Sequence, residues 1–170
     1  MKNNKRSFPA STVKIELGTG NNIHMFEVQV LSVGSNIAAG KPSSQSSTLN
    51  NLFANLAVDG KVNTFSHTNV AASGSPVWWK VDLGNEFSIE SVTILNRWCG
   101  SSADPSGCLC RLSSARHTLY DEDDTILAER TLGNTCNVLT VAEAFELCPS
   151  TPTPTSTSPT KNSTESTSTS

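Results

Sequence analysis

The sequence predicts an all-β protein, an antiparallel β-sandwich, from three observations. Apolar and polar residues alternate in its hydrophobic segments, and a period of two is typical of strands with one buried face. Glycine- and serine-rich segments between these runs give turn signals at short spacing. No stretch shows a sustained helical period with capping residues. Several short strands in this arrangement favour a sandwich over other folds.

The clearest strands lie in the middle of the chain. In residues 78–83 the apolar Trp79 and Val81 stand at alternate positions, and residues 90–96 show the same alternation. Residues 83–86, which contain a glycine and an asparagine, are predicted to form the turn between these two strands. Further short strands are predicted at residues 117–120, 126–128 and 138–145.

The N-terminal part of the chain resembles a segment near the C-terminus. Residues 22–30 are echoed by residues 138–146, and Glu27 matches Glu143 in the two segments. The favoured interpretation is that residues 11–31 are the terminal strands of a truncated preceding repeat, as in a fragment of a tandem array.

The alternative is that residues 11–31 complete the sheet of this domain. In that case a hairpin through residues 33–35 sets residues 26–31 beside residues 36–39, as if the fold were circularly permuted. Residues 1–10, before these strands, are predicted to be disordered.

Composition separates a folded domain, assigned to residues 33–148, from a C-terminal tail. The last 21 residues contain only Ser, Thr, Pro, Asn, Lys and Glu, so burial cannot offset the entropy of ordering them. Residues 149–170 are therefore predicted to be a disordered stalk. Ser and Thr interspersed with Pro are typical of O-glycosylated stalks, and Asn162 begins an N-glycosylation motif; an unmodified linker is the alternative.

Charge and motifs exclude several function classes. The net charge of -3, without a basic cluster beyond the first six residues, argues against nucleic-acid binding. No apolar run approaches the length that spans a bilayer, so membrane insertion is not expected. Nucleophile, phosphate-loop, zinc-protease and dinucleotide motifs are absent, and the acidic residues 121–124 read as a solvated turn. The sequence thus predicts a binding module and not an enzyme.

All five cysteines lie in the second half of the chain, at spacings that match no zinc motif. Disulfides in an oxidising compartment are the better interpretation. Cys99 bonded to Cys108 or to Cys110 would close the loop of residues 100–107, whose small and polar side chains cannot pack by themselves. The choice between these two partners stays open.

Six motifs, in their order and spacing, resemble the fucolectin branch of the discoidin, or coagulation-factor 5/8 type C, family. They are NIAAGKPSSQSS at residues 36–47, AVDG at 57–60, SHT at 66–68, WWKVDLG at 78–84, NR at 96–97 and CRLS at 110–113. Proteins of this branch are lectins with a galactose-binding-like jelly-roll sandwich. The resemblance covers residues 26–147 and implies this fold.

The resemblance also implies a sugar site. In fucolectins one histidine after the Asp-Gly turn and two arginines beside a cysteine-bearing loop bind fucose, and these roles map onto His67, Arg97 and Arg111. The family's two arginines lie close together, whereas here residues 100–107 are inserted between them. A disulfide from Cys99 that loops out this insertion would return Arg111 to the site.

A calcium ion is the cofactor that the resemblance implies. In the family it binds the loop after the Asp-Gly turn and is closed by an acidic residue of the last strand. The implied side-chain ligands are Asp59, Thr64 and Glu143, the carbonyl ligands are Leu56, Lys61 and Ala142, and Glu27 replaces Glu143 if the N-terminal strand occupies that place.

These expectations combine into a calcium-stabilised lectin domain that recognises fucose or a related terminal sugar. Its place is extracellular or at the cell surface, although the charged N-terminus lacks the apolar stretch of a signal peptide, so the chain is expected to be a fragment. Oligomers or tandem domains would raise avidity for glycans. The alternatives are an adhesion module that binds protein or phospholipid and a carbohydrate-targeting appendage of a larger enzyme. Leu52 and Phe53 form the only evident apolar spike of the sequence, which argues against lipid binding.

Overall fold

A computed structural model of the protein describes residues 8–71, 74–100 and 107–145. These residues form ten strands and two short 3₁₀ helices, which confirms the predicted all-β class. The strands are β1 Phe8–Leu17, β2 His24–Ser32, β3 Ser35–Asn36, β4 Ser43–Gln45, β5 Ser66–His67, β6 Val77–Ile89, β7 Ser91–Asn96, β8 Arg116–Tyr120, β9 Ile126–Thr131 and β10 Thr140–Ala144. The 3₁₀ helices are Ala54–Ala57 and Leu109–Leu112.

The strands form two antiparallel sheets that pack as the predicted sandwich. The first sheet has the order β4-β6-β1-β8-β9, and the second has the order β10-β7-β2-β3, with β5 paired to β2. Alternate residues of both sheets face one core. Trp79 is fully buried there, and its indole N–H donates to the carbonyl of Ala54 over 3.0 Å, so the largest core side chain leaves no polar atom unpaired. Within the described part of the chain, no helix has the length and apolar character needed to cross a membrane.

The two N-terminal strands belong to this domain. Strand β1 lies between β6 and β8, so that Ile15 pairs with Trp79 on one side and with His117 on the other. Strand β2 lies between β7 and β3, and its hairpin with β3 pairs Leu31 with Asn36. This is the alternative in which residues 11–31 complete the sheets. The favoured truncated repeat is wrong for this structure, because both strands are central and hydrogen-bonded on both edges.

The domain is therefore larger at its N-terminal end than residues 33–148. Strand β1 begins at Phe8 and Ala10 is fully buried, so the disorder predicted for residues 1–10 does not extend to residues 8–10. Residues 1–7 and the predicted stalk at 149–170 lie outside the described residues.

The turn predicted at residues 83–86 is a bulge within one long strand. Strand β6 runs through these residues to Ile89, and the chain reverses only around Glu90. The register with β1 passes from Ala10 opposite Phe87 to Thr12 opposite Asp82, so the four intervening residues of β6 fall opposite Ser11 alone. The glycine and asparagine correctly predicted an irregular backbone at these residues. The predicted reversal of the chain there is wrong.

Candidate functional site

Two disulfides shape one end of the sandwich. Cys99 bonds to Cys108, and Cys110 bonds to Cys136. The first bond settles the choice left open for Cys99 and closes the inserted segment, of which residues 101–106 lie outside the described residues. This disulfide holds Cys108 beside the end of β7. Arg111, three positions further along the chain, is thereby brought close to Arg97.

The three predicted sugar-site residues come from three different elements that meet at this end. His67 lies in β5, Arg97 directly follows β7, and Arg111 lies in the 3₁₀ helix Leu109–Leu112. They surround His24 of β2, which pairs with His67 across the sheet. The cluster reaches the surface on its arginine side, since Arg111 is exposed and Arg97 is half-buried.

His24 connects the two arginines. Its Nδ1 atom is 3.0 Å from Nη1 of Arg97 and 3.5 Å from Nη1 of Arg111, and the latter nitrogen also donates to Oδ1 of Asn22 over 3.3 Å. Its Nε2 atom is 3.1 Å from the carbonyl oxygen of Cys108. Because a carbonyl only accepts and a guanidinium only donates, the ring is neutral, with its proton on Nε2 and its lone pair on Nδ1. His24 therefore receives hydrogen bonds from both cations.

His67 is held with the opposite ring nitrogen protonated. Its Nδ1 is 2.6 Å from the carbonyl oxygen of Thr68 and must donate to it, so Nε2 of the neutral ring is an acceptor. The ring stands edge-on to that of His24, with centroids 5.1 Å apart. Beside it, the guanidinium of Arg97 lies over the Phe65 ring, 3.9 Å from the centroid, which fixes the plane of the fork.

In this cluster the two arginines are charged and the two histidines beside them are neutral. Burial lowers the pKa of His24 to about 3, and the charges of Arg111 and Arg97 act in the same direction. Burial and then Arg111 also lower the pKa of Arg97, and burial lowers that of His67. Among the described residues no carboxylate forms an ion pair with either arginine. The cluster thus offers guanidinium donors that no acid of the described residues pairs with.

His24 was not among the residues that the sequence singled out. The side chain is fully buried. Its arginine partners lie 73 and 87 positions away along the chain, so no local pattern could have identified it. The third histidine of the chain, His117, is also fully buried, but it lies in the first sheet, and neither of its ring nitrogens has a partner among the described residues.

The predicted calcium loop follows the 3₁₀ helix that contains Leu56. Asp59 accepts hydrogen bonds from the backbone N–H of Lys61 at 2.9 Å and from the hydroxyl of Thr64 at 3.0 Å, which closes the turn. The hydroxyl of Thr64 also lies 3.5 Å from the carbonyl oxygen of Lys61. The side-chain and carbonyl oxygens that the resemblance implied for residues 59–64 are thus gathered in one turn.

Glu27 of β2 is the carboxylate that reaches this loop. Its Oε1 accepts from the backbone N–H of Gly60 over 3.3 Å, whereas its buried Oε2 has no partner among the described residues. Burial, followed by the charge of Asp59, raises the pKa of Glu27 to about 7. An unpartnered carboxylate oxygen beside a second acid fits a bound cation, which would supply the missing positive charge.

Glu143 and Ala142, which the resemblance implied as ligands ahead of Glu27, lie elsewhere. Strand β10 is separated from β2 by β7, and Glu143 pairs with Val92 whereas Glu27 pairs with Leu95. Directly paired residues share a face of the sheet. Val92 is fully buried in the core, and Leu95 is only half-buried on the other face. The two glutamates therefore lie on opposite faces, and Glu27 takes the place that the resemblance gave to Glu143.

Comparison with protein families agrees with this architecture. A family model of the F5/F8 type C group, described as NedA-like, galactose-binding domain, matches residues 56–140, which is half of the chain. The matched segment includes His67, Arg97, Arg111 and the Asp59 turn, but not β1 or β2. No curated protein and no solved structure matches the chain. A galactose-binding-like domain suggests carbohydrate binding. The chain belongs to the F5/F8 type C family of galactose-binding-like jelly-roll domains.

Proposed function

We propose that this domain is an extracellular, calcium-stabilised lectin that binds fucose or a related terminal sugar through His67, Arg97 and Arg111. The observation that carries the proposal is the convergence of these three side chains. Both guanidiniums share one acceptor on His24, and the His67 ring packs against that same imidazole. The three residues come from three different elements, and a disulfide closes the insertion between two of them. Their convergence is what a shared ligand site requires.

The chemistry of the cluster matches a sugar hydroxyl. A hydroxyl donates one hydrogen bond and accepts others, so its proton can go to Nε2 of His67 while its lone pairs accept from the arginines. Each guanidinium has five N–H donors. His24 engages one from each, and Asn22 also accepts from Nη1 of Arg111, so several remain for ring and hydroxyl oxygens. A single site of this size makes few contacts, and repeated domains or oligomers would raise its avidity.

Calcium is proposed for the loop beside Glu27. Its ligands would be the side chains of Asp59, Thr64 and Glu27 with the carbonyl oxygens of Leu56 and Lys61. When bound, the ion neutralises two neighbouring carboxylates and ties the loop to β2. In its absence, Glu27 and Asp59 repel each other and Glu27 keeps a proton more readily than an exposed carboxyl would.

Calcium is expected to raise the melting temperature of the full-length protein, because it binds the folded state only. Glu27→Gln and Asp59→Asn should each abolish that rise. Glu143→Gln is the matched control: it removes an acid from the strand on the other side of β7 and should leave the rise intact. An equal calcium response in wild type and Glu27→Gln would rule out this ligand set.

The pH dependence of the calcium-free protein gives an independent check. The pKa of Glu27 is raised from 4.5 to about 7 in the folded state, so folding takes up a proton between these values. Stability should therefore fall as the pH rises from 4.5 to 7 in chelator. Glu27→Gln should flatten this slope, and saturating calcium should suppress the loss by favouring the carboxylate. A slope unaffected by Glu27→Gln would assign it to another group.

The sugar proposal is tested with a glycan array probed by the full-length protein. Signals are expected on fucosylated or related terminal sugars with calcium present, and weaker signals with chelator. Vesicles containing phosphatidylserine form the second arm, because the apolar side chain of Phe53 is 53% exposed. Vesicle binding without any glycan signal, lost in Phe53→Ser, would replace the lectin by an adhesion module.

A further inference from the structure

His24 makes contacts that a core side chain does not need. A buried imidazole can be satisfied by one backbone carbonyl, as Nε2 is by Cys108. In His24 the remaining lone pair is directed at two guanidiniums from different parts of the chain. Both of those guanidiniums belong to the proposed sugar site.

The arginines need such an acceptor because they oppose each other. Two cations that converge within one cluster repel, and burial already disfavours the charge on Arg97. A carboxylate would relieve the repulsion, but it would also engage the forks in bidentate pairs and compete with a ligand. A neutral imidazole accepts one N–H from each fork and leaves the other donors free.

The hydrogen bond from the His24 ring to a backbone carbonyl determines which ring nitrogen faces the arginines. The donor on Nε2 is committed to the carbonyl of Cys108, next to the Cys99–Cys108 disulfide, whose sulfurs lie within 4.8 Å of a nitrogen of the ring. Nδ1 must therefore be the acceptor. The same disulfide that closes the insertion thus also sets the tautomer.

We propose that His24 is a positioning residue of the sugar site: as a neutral acceptor it holds Arg97 and Arg111 in one arrangement with their remaining N–H groups directed to the ligand. His24 itself contacts no sugar in this scheme. The inference rests on the proposed function for its ligand, but the ordering of the arginines by His24 is a property of the free protein and is measured without any sugar.

The first measurement needs no variant. Nitrogen-15 NMR of the free wild-type protein at neutral pH should find His24 neutral, with the proton on Nε2. The Arg97 guanidinium should show resolved Nη signals, because its rotation is restricted by His24 and Phe65. A proton on Nδ1 of His24 would overturn the proposal directly, since that nitrogen could not then accept from an arginine.

The variants separate positioning from packing. His24→Leu keeps similar volume and removes both ring nitrogens, and His24→Gln keeps one donor and one acceptor. His117→Leu is the matched control, since His117 is equally buried in the other sheet and contacts neither arginine. We expect His24→Leu to lose the resolved Arg97 signals and to weaken binding of L-fucose about tenfold or more, as for a lost charge-assisted bond. His24→Gln should retain part of the Arg97 signals and part of the affinity for L-fucose. His117→Leu should retain both in full.

The outcomes are distinguishable from failure of the lectin proposal. If the wild type binds no sugar on the array but His24→Leu still loses the resolved Arg97 signals, the positioning role is supported and the ligand assignment is wrong. If Arg97 stays equally ordered in folded His24→Leu and fucose binding is unchanged, the positioning role is overturned. Should His24→Leu fail to fold, His24→Gln and the wild-type tautomer decide: an Nε2 proton with retained Arg97 order supports the proposal, and an Nδ1 proton contradicts it.

Discussion

Deletion of residues 1–32 is expected to abolish cooperative unfolding of the protein. The deletion removes β1 and β2, the central strands of the two sheets, and leaves the facing edges of β6, β8, β7 and β3 unpaired. It also removes fully buried core side chains, among them Val13, Ile15 and Val28. At about 1.5–3 kcal/mol for each large side chain, and with backbone pairing lost as well, the loss exceeds the 5–15 kcal/mol by which domains are typically stable.

The measurement is urea unfolding of the full-length and deleted proteins, followed by near-ultraviolet circular dichroism. A matched control substitutes residues 1–7 alone by a Gly/Ser segment, which leaves β1 intact and should unfold as the wild type does. If the protein without residues 1–32 unfolds cooperatively near the wild-type midpoint, then these strands belong to a separate repeat after all.

The second large effect is expected on sugar binding. His67→Ala, Arg97→Ala and Arg111→Ala should each weaken binding of L-fucose by about 1.5–3 kcal/mol, the usual cost of losing a charge-assisted or a buried hydrogen bond. This corresponds to roughly 10- to 150-fold in the dissociation constant. Arg97→Lys should also bind poorly, because a single ammonium cannot reproduce a planar fork that is stacked on Phe65.

Arg130 provides the control for Arg97. Its guanidinium also lies near an aromatic ring, 5.8 Å from the Phe145 centroid, but it is carried by β9 of the other sheet. Arg130→Ala should leave affinity unchanged. Affinities are measured by isothermal titration, with melting temperatures to show that each variant is folded. Normal binding by Arg111→Ala alone would remove Arg111 from the ligand set, and normal binding by all three alanine variants would refute the fucose mechanism while leaving the fold unaffected.

The local features of the fold were predictable, and the pairing of its first two strands was not. A period of two identifies a strand from neighbouring residues, and β6 to β10 were found in this way. Which strand it pairs with depends on residues far away: Ile15 meets Trp79 and His117, and nothing near Ile15 encodes that choice. The β2–β3 hairpin was weighed as an alternative because it is local.

The candidate site, like the fold, was predictable from the sequence only where its residues lie in local motifs. Residues that belong to a contiguous motif, such as His67 and the Asp59 turn, could be assigned from the sequence. The echo between Glu27 and Glu143 was visible as well, and both strands do pair with β7. The face on which each glutamate lies depends on register, which a sequence comparison does not contain. His24 could not be found at all, because its role exists only where three distant segments meet.

The central position of β1 has a consequence for the order of folding. This strand is made first, yet its neighbours β6 and β8 are made much later, and Thr12 pairs with both Asp82 and Tyr120. Closing such long loops is slow, and folding dominated by distant pairing typically takes milliseconds to seconds. During synthesis, β1 therefore has no partner until β6 has emerged from the ribosome, and its second edge stays unpaired until β8 has emerged. We expect this interval, and not the mature fold, to be when the chain is most prone to aggregate.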